Sequence, residues 1–590
     1  MKKILYSLLG LGIIFGIYYA IVDKTQPADL LILNATIYTV DESNSVQQAM
    51  AIRGSRIIAV GTTEDIQKRY SSQNVIDANG KTIIPGMIDS HAHVFEIGTN
   101  SAELNLVGTT SSEESAALVA ERVKRAAPGE WIRGHGWDQN DWDNTGRNVP
   151  FPTAAILDNV APNNPVVLER IDGHALWVNS QAMKFADILN DKKERKIEGG
   201  KIYRDQAGNP TGIFIDNAER IIYSVVPDYS DAEMKAMYQR AFDECLKFGL
   251  TSVHDMGISE RAYNILNSFA QNNLLPVRIY AAVLGDNSLW SKAKAQGPLS
   301  GKFLSLRAIK MLADGALGSR GAALMEPYSD EPGNRGLEIT SKEKMKELAE
   351  DAVQHGFQVC VHAIGDRGNK NILDIYEELE QKYPAKAELA RFRVEHAQVL
   401  SNDDLLRFKK LHVLPSMQPI HCTSDMYWAQ ARLGPERIQG AYAWRRLLDD
   451  GNIIASGSDA PVENPNPLLG FYAAITRQDK DGIPQSAADV AAHFQLSADG
   501  IKDSSNFLNG WYPQEKMTRE EALKSYTIWG AYAEFAEKEK GSLEPGKLAD
   551  FVVLSKDIMK VEPKQILSTL VDMTVVDGKI AYQRTITGAK

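Results

Sequence analysis

From Pro85 to Lys540 the chain repeats one alternation, a short apolar run followed by a stretch with helical spacing. The apolar runs are "IIPGMIDSHAH", "PVVLER", "LTSVHD", "LSLRAIKML", "FQVCVHA", "FRVEHAQ", "HVLPSM" and "IIASGSD". Helical patterns such as "DAEMKAMYQRAFDECLKFG" and "SKEKMKELAEDAVQHG" lie between several of them, each stopping at a glycine. Parallel strands can be joined only through a long crossover, so repeated strand–helix units predict a parallel sheet with helices outside. The count of such runs matches a (β/α)8 barrel, in which chemistry sits at the C-terminal ends of the strands.

The flanks have a different texture. "DLLILNATIYTVD", "QAMAIRGSRIIAVG" and "NVIDANGKTIIPG" near the start, and "GSLEPGKLADFVVLS" and "LVDMTVVDGKIAYQR" near the end, read as strands punctuated by Gly and Asn turns. A composite β-domain from 28–84 and 541–587 is therefore expected, around a barrel over 85–540. Residues 98–235 hold one counted strand over a long interval, and 481–515 lack a clear period, so both are expected to be insertions. The segment 1–24 has Lys2 and Lys3 and then no charge from Ile4 to Val22. As a helix that run spans roughly 28 Å, about one hydrocarbon core. Tyr18 fits a cleavage site after Ala20 poorly, so an uncleaved anchor is expected in preference to a cleaved signal peptide. The two lysines predict a cytoplasmic N-terminus and an exported, periplasmic or extracytoplasmic body held to the inner membrane.

Composition narrows the partners. A net charge of −11 over 590 residues, with no long basic block, argues against nucleic acid. Cys245, Cys360 and Cys422 are far apart and form neither a disulfide framework nor a cysteine zinc site.

The ends of the apolar runs carry the chemistry. They present His91 and His93, Lys310, His362, His396 and Asp459. Residues two apart in a strand share a face, so His91 and His93 can both face the barrel axis. Neutral imidazoles with a carboxylate suit Zn2+ or a related divalent ion. An ammonium at Lys310 would repel such an ion, whereas an N-carboxylated lysine supplies a bridging anion; a neutral or ammonium lysine beside a single metal is the alternative. A bound ion lowers the pKa of water toward about 7, making hydroxide available to attack a carbonyl. Asp459 can then carry the proton from the water to a leaving nitrogen.

These and other stretches resemble the amidohydrolase superfamily, in its YtcJ-like branch of amidohydrolase family 3. Among them are "GMIDSHAHV", "GHGWDQNDW", "ERIDGHALWVNSQAM", "GLTSVHDMG", "IKMLADGALGSRGAAL", "VHAIGDRGN", "SMQPIHCTSDMYW" and "GSDAPVENPNPLLG". The resemblance implies an α/β fold: a distorted (β/α)8 TIM barrel plus a β-sandwich built from both chain ends, here preceded by the apolar N-terminal helix. It implies that His91, His93 and Asp459 bind the more buried metal, that His362 and His396 bind a second, and that carboxylated Lys310 bridges the two.

Further candidates surround this set. His174 is expected near the barrel mouth, placed to donate to a substrate carbonyl or its oxyanion. Trp137, Asp138, Asp172, Arg320, Asp366 and Gln418 are candidate substrate contacts, each with loop packing or a structural ion pair as its bland alternative. His254 and Asp255 read as support for the ligands, and His421 and Trp428 as pocket-shaping residues. The expected function is hydrolysis of a C–N bond outside peptide chains, in an N-acyl or N-formyl amine or a cyclic amide. A deaminase on the same site and a non-catalytic regulatory binding protein are the alternatives. A small-molecule amide is the expected partner, and a homodimer is among the assemblies such a chain could form.

Overall fold

A computed structural model describes residues 25–100, 102–142, 150–192, 195–485 and 504–585. The anchor expected over 1–24 and part of the 481–515 segment lie outside the described residues. Among those described, no helix is long and apolar enough to cross a membrane.

Eight parallel strands form one sheet in sequential order. They are β1 (Met87–Ala92), β2 (Leu250–Ile258), β3 (Arg278–Leu284), β4 (Leu304–Leu312), β5 (Gln358–Ala363), β6 (Arg393–His396), β7 (Leu414–Met417) and β8 (Ala455–Ser456). Strands β1, β5, β6 and β7 are buried along their whole length, as expected for a sheet covered on both faces. The sheet curls back on itself. A parallel bridge joins Ala92 to Ala460, the His93 amide donates to the Ala460 carbonyl (2.8 Å), and the Asp459 amide donates to the His91 carbonyl (2.7 Å). This nearly closed barrel has the α/β architecture that the alternation predicts.

The strand assignment needs one correction. "PVVLER" does not enter the barrel; Val166–Arg170 belongs to a separate six-stranded sheet spanning Leu104 to Asp216. The missing barrel strand is Arg278–Leu284, "RIYAAVL". An apolar run does not reveal which sheet it will join. The true strand was masked by its leading arginine, which is buried and paired with Asp550 (2.7 Å).

Both chain ends build two further sheets. In one, Phe551–Leu554 from the C-terminal region pairs antiparallel with Thr82–Pro85, the strand that leads directly into β1. Ile32, Ile52 and Ile57 of the four-stranded sheet pack with Ile37, Ile83, Phe551 and Val575 of the six-stranded one in a common core. Each fully buried side chain of this size contributes about 1.5–3 kcal/mol. That packing fixes where the chain enters β1, and so where His91 and His93 point.

Candidate metal centre

His91 is the last but one residue of β1, and His93 follows the strand end. Barrel closure sets both against Asp459, with His91 Nε2 at 3.3 Å and His93 Nε2 at 3.2 Å from Asp459 Oδ1. Buried Asp89 braces this junction: it accepts from the His91 amide (3.1 Å), the Ser458 amide (3.0 Å) and the Ser458 hydroxyl (2.5 Å). Burial alone would raise the Asp459 carboxyl, but the imidazoles of His91, His93 and His396 outweigh it and hold it well below the usual carboxylate range. The backbone is strained here: His396 has φ +72° and Asp459 φ +59°, both left-handed at non-glycine residues. Such a conformation costs on the order of 1–2 kcal/mol and aims a side chain that an extended strand end would not.

Beneath the histidines lies an ion-pair network absent from the sequence expectations. The His91 Nδ1–H donates to Glu395 Oε2 (2.7 Å). Arg393 grips the same carboxylate with Nε (2.8 Å) and Nη2 (2.9 Å), and also bonds the Ser90 carbonyl, the Ser416 hydroxyl and His254 Nδ1. Arg393 and Glu395 are both fully buried. Two charged residues spaced i, i+2 on one face of "RVEH" were the available signal. By fixing the proton on Nδ1, Glu395 leaves the His91 Nε2 lone pair facing the cavity. Gln418 does the same for His396, whose Nδ1–H it accepts at 2.8 Å. Gln418 therefore orients a histidine, where the sequence suggested a substrate contact.

With Nδ1–H committed, His91 Nε2 and the Asp459 carboxylate are two acceptors facing each other at 3.3 Å, an arrangement that needs a cation or proton between them. Lys310 Nζ lies 3.4 Å from the same Nε2. Separations of about 3.3 Å are the edges of a tetrahedron of ligands each about 2.0 Å from a zinc ion. Two convergent groups fit a metal: His91, His93 and Asp459, and His396, His421 and Asp459. The second includes His421, which the sequence suggested only as a pocket-shaping residue. His362 stands beside His396 with ring centroids 4.5 Å apart. The Nε2 atoms of His362 and His421 are buried without a hydrogen-bond partner. Burial pushes His362, His396 and Lys310 toward their neutral forms, those able to offer a lone pair.

The added sheet overhangs this centre. His174 Nδ1 bonds Asp216 Oδ1 (2.5 Å), and its ring lies 5.2 Å from that of His362. Burial would lower His174, but the Asp216 carboxylate prevails and pushes it up to about 9. Asp138 and Asp172 line the cavity, where both pair with Arg170. Other expected contacts lie elsewhere. Trp137 is fully buried in the added sheet's core against Trp142, Phe151 and Trp177, its indole N–H donating to the Leu168 carbonyl (3.0 Å). Arg320 pairs with Asp330 (3.0 Å), and Asp366 accepts from the Met325 amide (2.8 Å); neither lines the two cavities at the centre. His254 and Asp255 sit behind the ligands, His254 against Arg393 and Glu534, and Asp255 on the Val94 amide. The cavities, of 1090 and 810 Å3, share His174, His362, His396 and Asp459.

Comparison with known proteins agrees with this architecture. The amidohydrolase family model matches residues 74–582. The putative amidohydrolase YtcJ of Bacillus subtilis is 31% identical, over 93% of this chain and 98% of its own. The N-substituted formamide deformylase of Arthrobacter pascens is 26% identical, over 95% of this chain and 99% of its own. An uncharacterized metal-dependent hydrolase from Pyrococcus horikoshii superposes with a TM-score of 0.70 at 26% identity, covering 90% of this chain and 99% of that one. The strand-end histidines, the barrel that gathers them and these likenesses together place the chain in the amidohydrolase family.

Proposed function

We propose that this chain is a metal-dependent hydrolase of a C–N bond outside peptide chains, acting on an N-acyl or N-formyl amine or a cyclic amide. The observation that carries the proposal is the approach of His91 Nε2, whose other ring nitrogen is held by Glu395, to within 3.3 Å of the Asp459 carboxylate, beside His93 and Lys310 in a cavity large enough for a small molecule. The formamide deformylase among its relatives supports an N-formyl substrate. His91, His93 and Asp459 would hold one divalent ion, zinc by the chemistry of the donor set, and His396 a second together with His362 or His421. A divalent ion there supplies Lewis acidity toward the scissile carbonyl and a lowered pKa for water.

The chain's own groups do the rest. Asp459, held ionised, accepts a proton from the attacking water and delivers it to the leaving nitrogen. His174, held protonated by Asp216, donates to the oxygen on which negative charge develops. Burial lowers the Lys310 pKa and so favours the neutral amine, the form that adds carbon dioxide with loss of a proton to solvent; carboxylated, it would become an anionic bridge. We further propose that residues 1–24 anchor an exported catalytic body to the inner membrane.

Metal analysis of purified protein should find one to two divalent ions per chain. Chelation should abolish turnover of an N-formyl amine panel, and added Zn2+ should restore it; full activity in metal-free protein would end this reading. His174→Gln should lower kcat/KM by about 10²-fold, the scale of a lost oxyanion donor. In the parent enzyme kcat/KM should fall as pH rises through the His174 pKa. That limb should lie at or below pH 9, because a nearby divalent ion opposes protonation. The same limb appearing unchanged in His174→Gln would remove His174 from the step.

A further inference from the structure

The 810 Å3 cavity that contains His91, His93 and Lys310 also runs along a wall of carboxylates. Glu96 lies on the helix Val94–Thr99, just after the histidine pair, and Glu103 precedes the strand Leu104–Asn105. Glu169 lies on Val166–Arg170, and Glu219 opens the helix Glu219–Tyr223. Four separate segments thus bring like charges to one place, which is unfavourable unless something offsets it.

The basic side chains nearby supply only part of the offset, Arg133 acting on Glu103 and His93 on Glu169, and none of them is ion-paired with Glu169 or Glu219. Arg170 is engaged by Asp138 and Asp172, and Lys344 by Asp286 and Glu347. Arg133 stacks on the Tyr229 ring (4.2 Å) and donates to the Pro227 carbonyl, and Arg220 is exposed. Glu103 receives a hydrogen bond from the Tyr229 hydroxyl, and Glu169 one from the Tyr223 hydroxyl (3.1 Å). Glu219 is the telling member: it is 9% exposed, and its Oε1 is buried with no hydrogen-bond partner. A buried, uncompensated carboxylate is costly. Burial and mutual repulsion accordingly push Glu169 up to about 7 and raise Glu219 further from its ordinary range.

A metal ion is a poor match, because among the described residues the convergent ligand groups are those containing Asp459, not these glutamates. Carboxylates spread along a wall suit a larger cation with several N–H donors. We infer that this wall, centred on Glu169 and Glu219, binds the cationic nitrogen group of the substrate, an ammonium or amidinium. The scissile amide then lies over the His91–Asp459 centre, a placement that rests on the hydrolase reading above. The enzyme would thus prefer acylated amines bearing a second, charged nitrogen, and Glu169 and Glu219 would be specificity residues rather than catalytic ones.

Calorimetry on the metal-loaded full chain tests the wall without hydrolysis, using n-butylguanidinium and neutral n-butanol. The guanidinium should bind at least tenfold more tightly than the alcohol, and Glu169→Gln with Glu219→Gln should erase that difference. If the double variant does not fold, Glu219→Gln alone should weaken guanidinium binding severalfold. Equal binding of the two probes, or unchanged preference in a folded variant, overturns the inference. In turnover, N-(4-guanidinobutyl)formamide should exceed N-pentylformamide at least tenfold in kcat/KM. Turnover of both without preference also overturns it. Guanidinium binding lost in the variant, with no amide hydrolysed, upholds the cation wall and sinks the hydrolase reading instead.

Discussion

Asp459→Asn should lower kcat/KM by about 10²–10⁴-fold, the usual contribution of a positioned acid–base group. Asparagine is the informative replacement. It keeps the side chain's size, and it tolerates the left-handed backbone that Asp459 adopts at φ +59°. Circular dichroism and thermal unfolding should therefore change little. The substitution removes two things at once, a proton acceptor and an anionic neighbour of His91, His93, His396 and His421. Metal affinity should fall as well, so kcat must be measured across a Zn2+ titration to saturation. A kcat that returns to the parent value at saturating metal would show that Asp459 only holds the ion. A kcat that stays low assigns it the proton.

Glu395→Gln should produce the largest stability loss. Arg393 and Glu395 are fully buried and joined by two hydrogen bonds. Removing one partner of such a pair costs about 3–5 kcal/mol, because the other charge stays buried and unpaired. The loss should appear as a lowered Tm in metal-free protein. Zinc affinity, measured against a competing chelator, should also drop by about 10–100-fold, because the group that orients His91 is weakened. Burial opposes the charge on Glu395, but the Arg393 guanidinium and His91 hold its pKa well below the usual range. A depressed carboxylate contributes stability above its unfolded pKa and loses it as pH falls through the folded value. The gap between parent and variant should thus stay constant from pH 6 to 8 and narrow progressively as pH falls below about 4.3, the unfolded value of a glutamate. Unchanged Tm and zinc affinity would show that His91 needs no such support.

The strand-end residues were legible because their signal is local. An apolar run ending in a polar residue needs only the period of a strand, and His91 and His93 need only its two-residue alternation. Glu395 was not legible, since its partner His91 is 304 positions away in the chain. Trp137 misled for the opposite reason. Its neighbours in sequence are polar, and only the fold shows that it packs against Trp142 and Trp177 in a dry core. Arg320 and Asp366 show the same limit: a charged residue near a motif is as readily a brace as a contact.

The sequence by itself determined the strand–helix alternation, the β-units at both chain ends and the chemical types gathered at the strand ends. These follow from periodicity and turn chemistry within short windows. Tertiary structure alone decided which apolar run became β3, which partners orient His91 and His396 and which histidines converge on Asp459. It also decided that Glu96 and Glu103 share a wall with Glu169 and Glu219 from later in the chain. Those outcomes depend on barrel closure and on burial, which set distances and local dielectric between residues that the chain order keeps far apart.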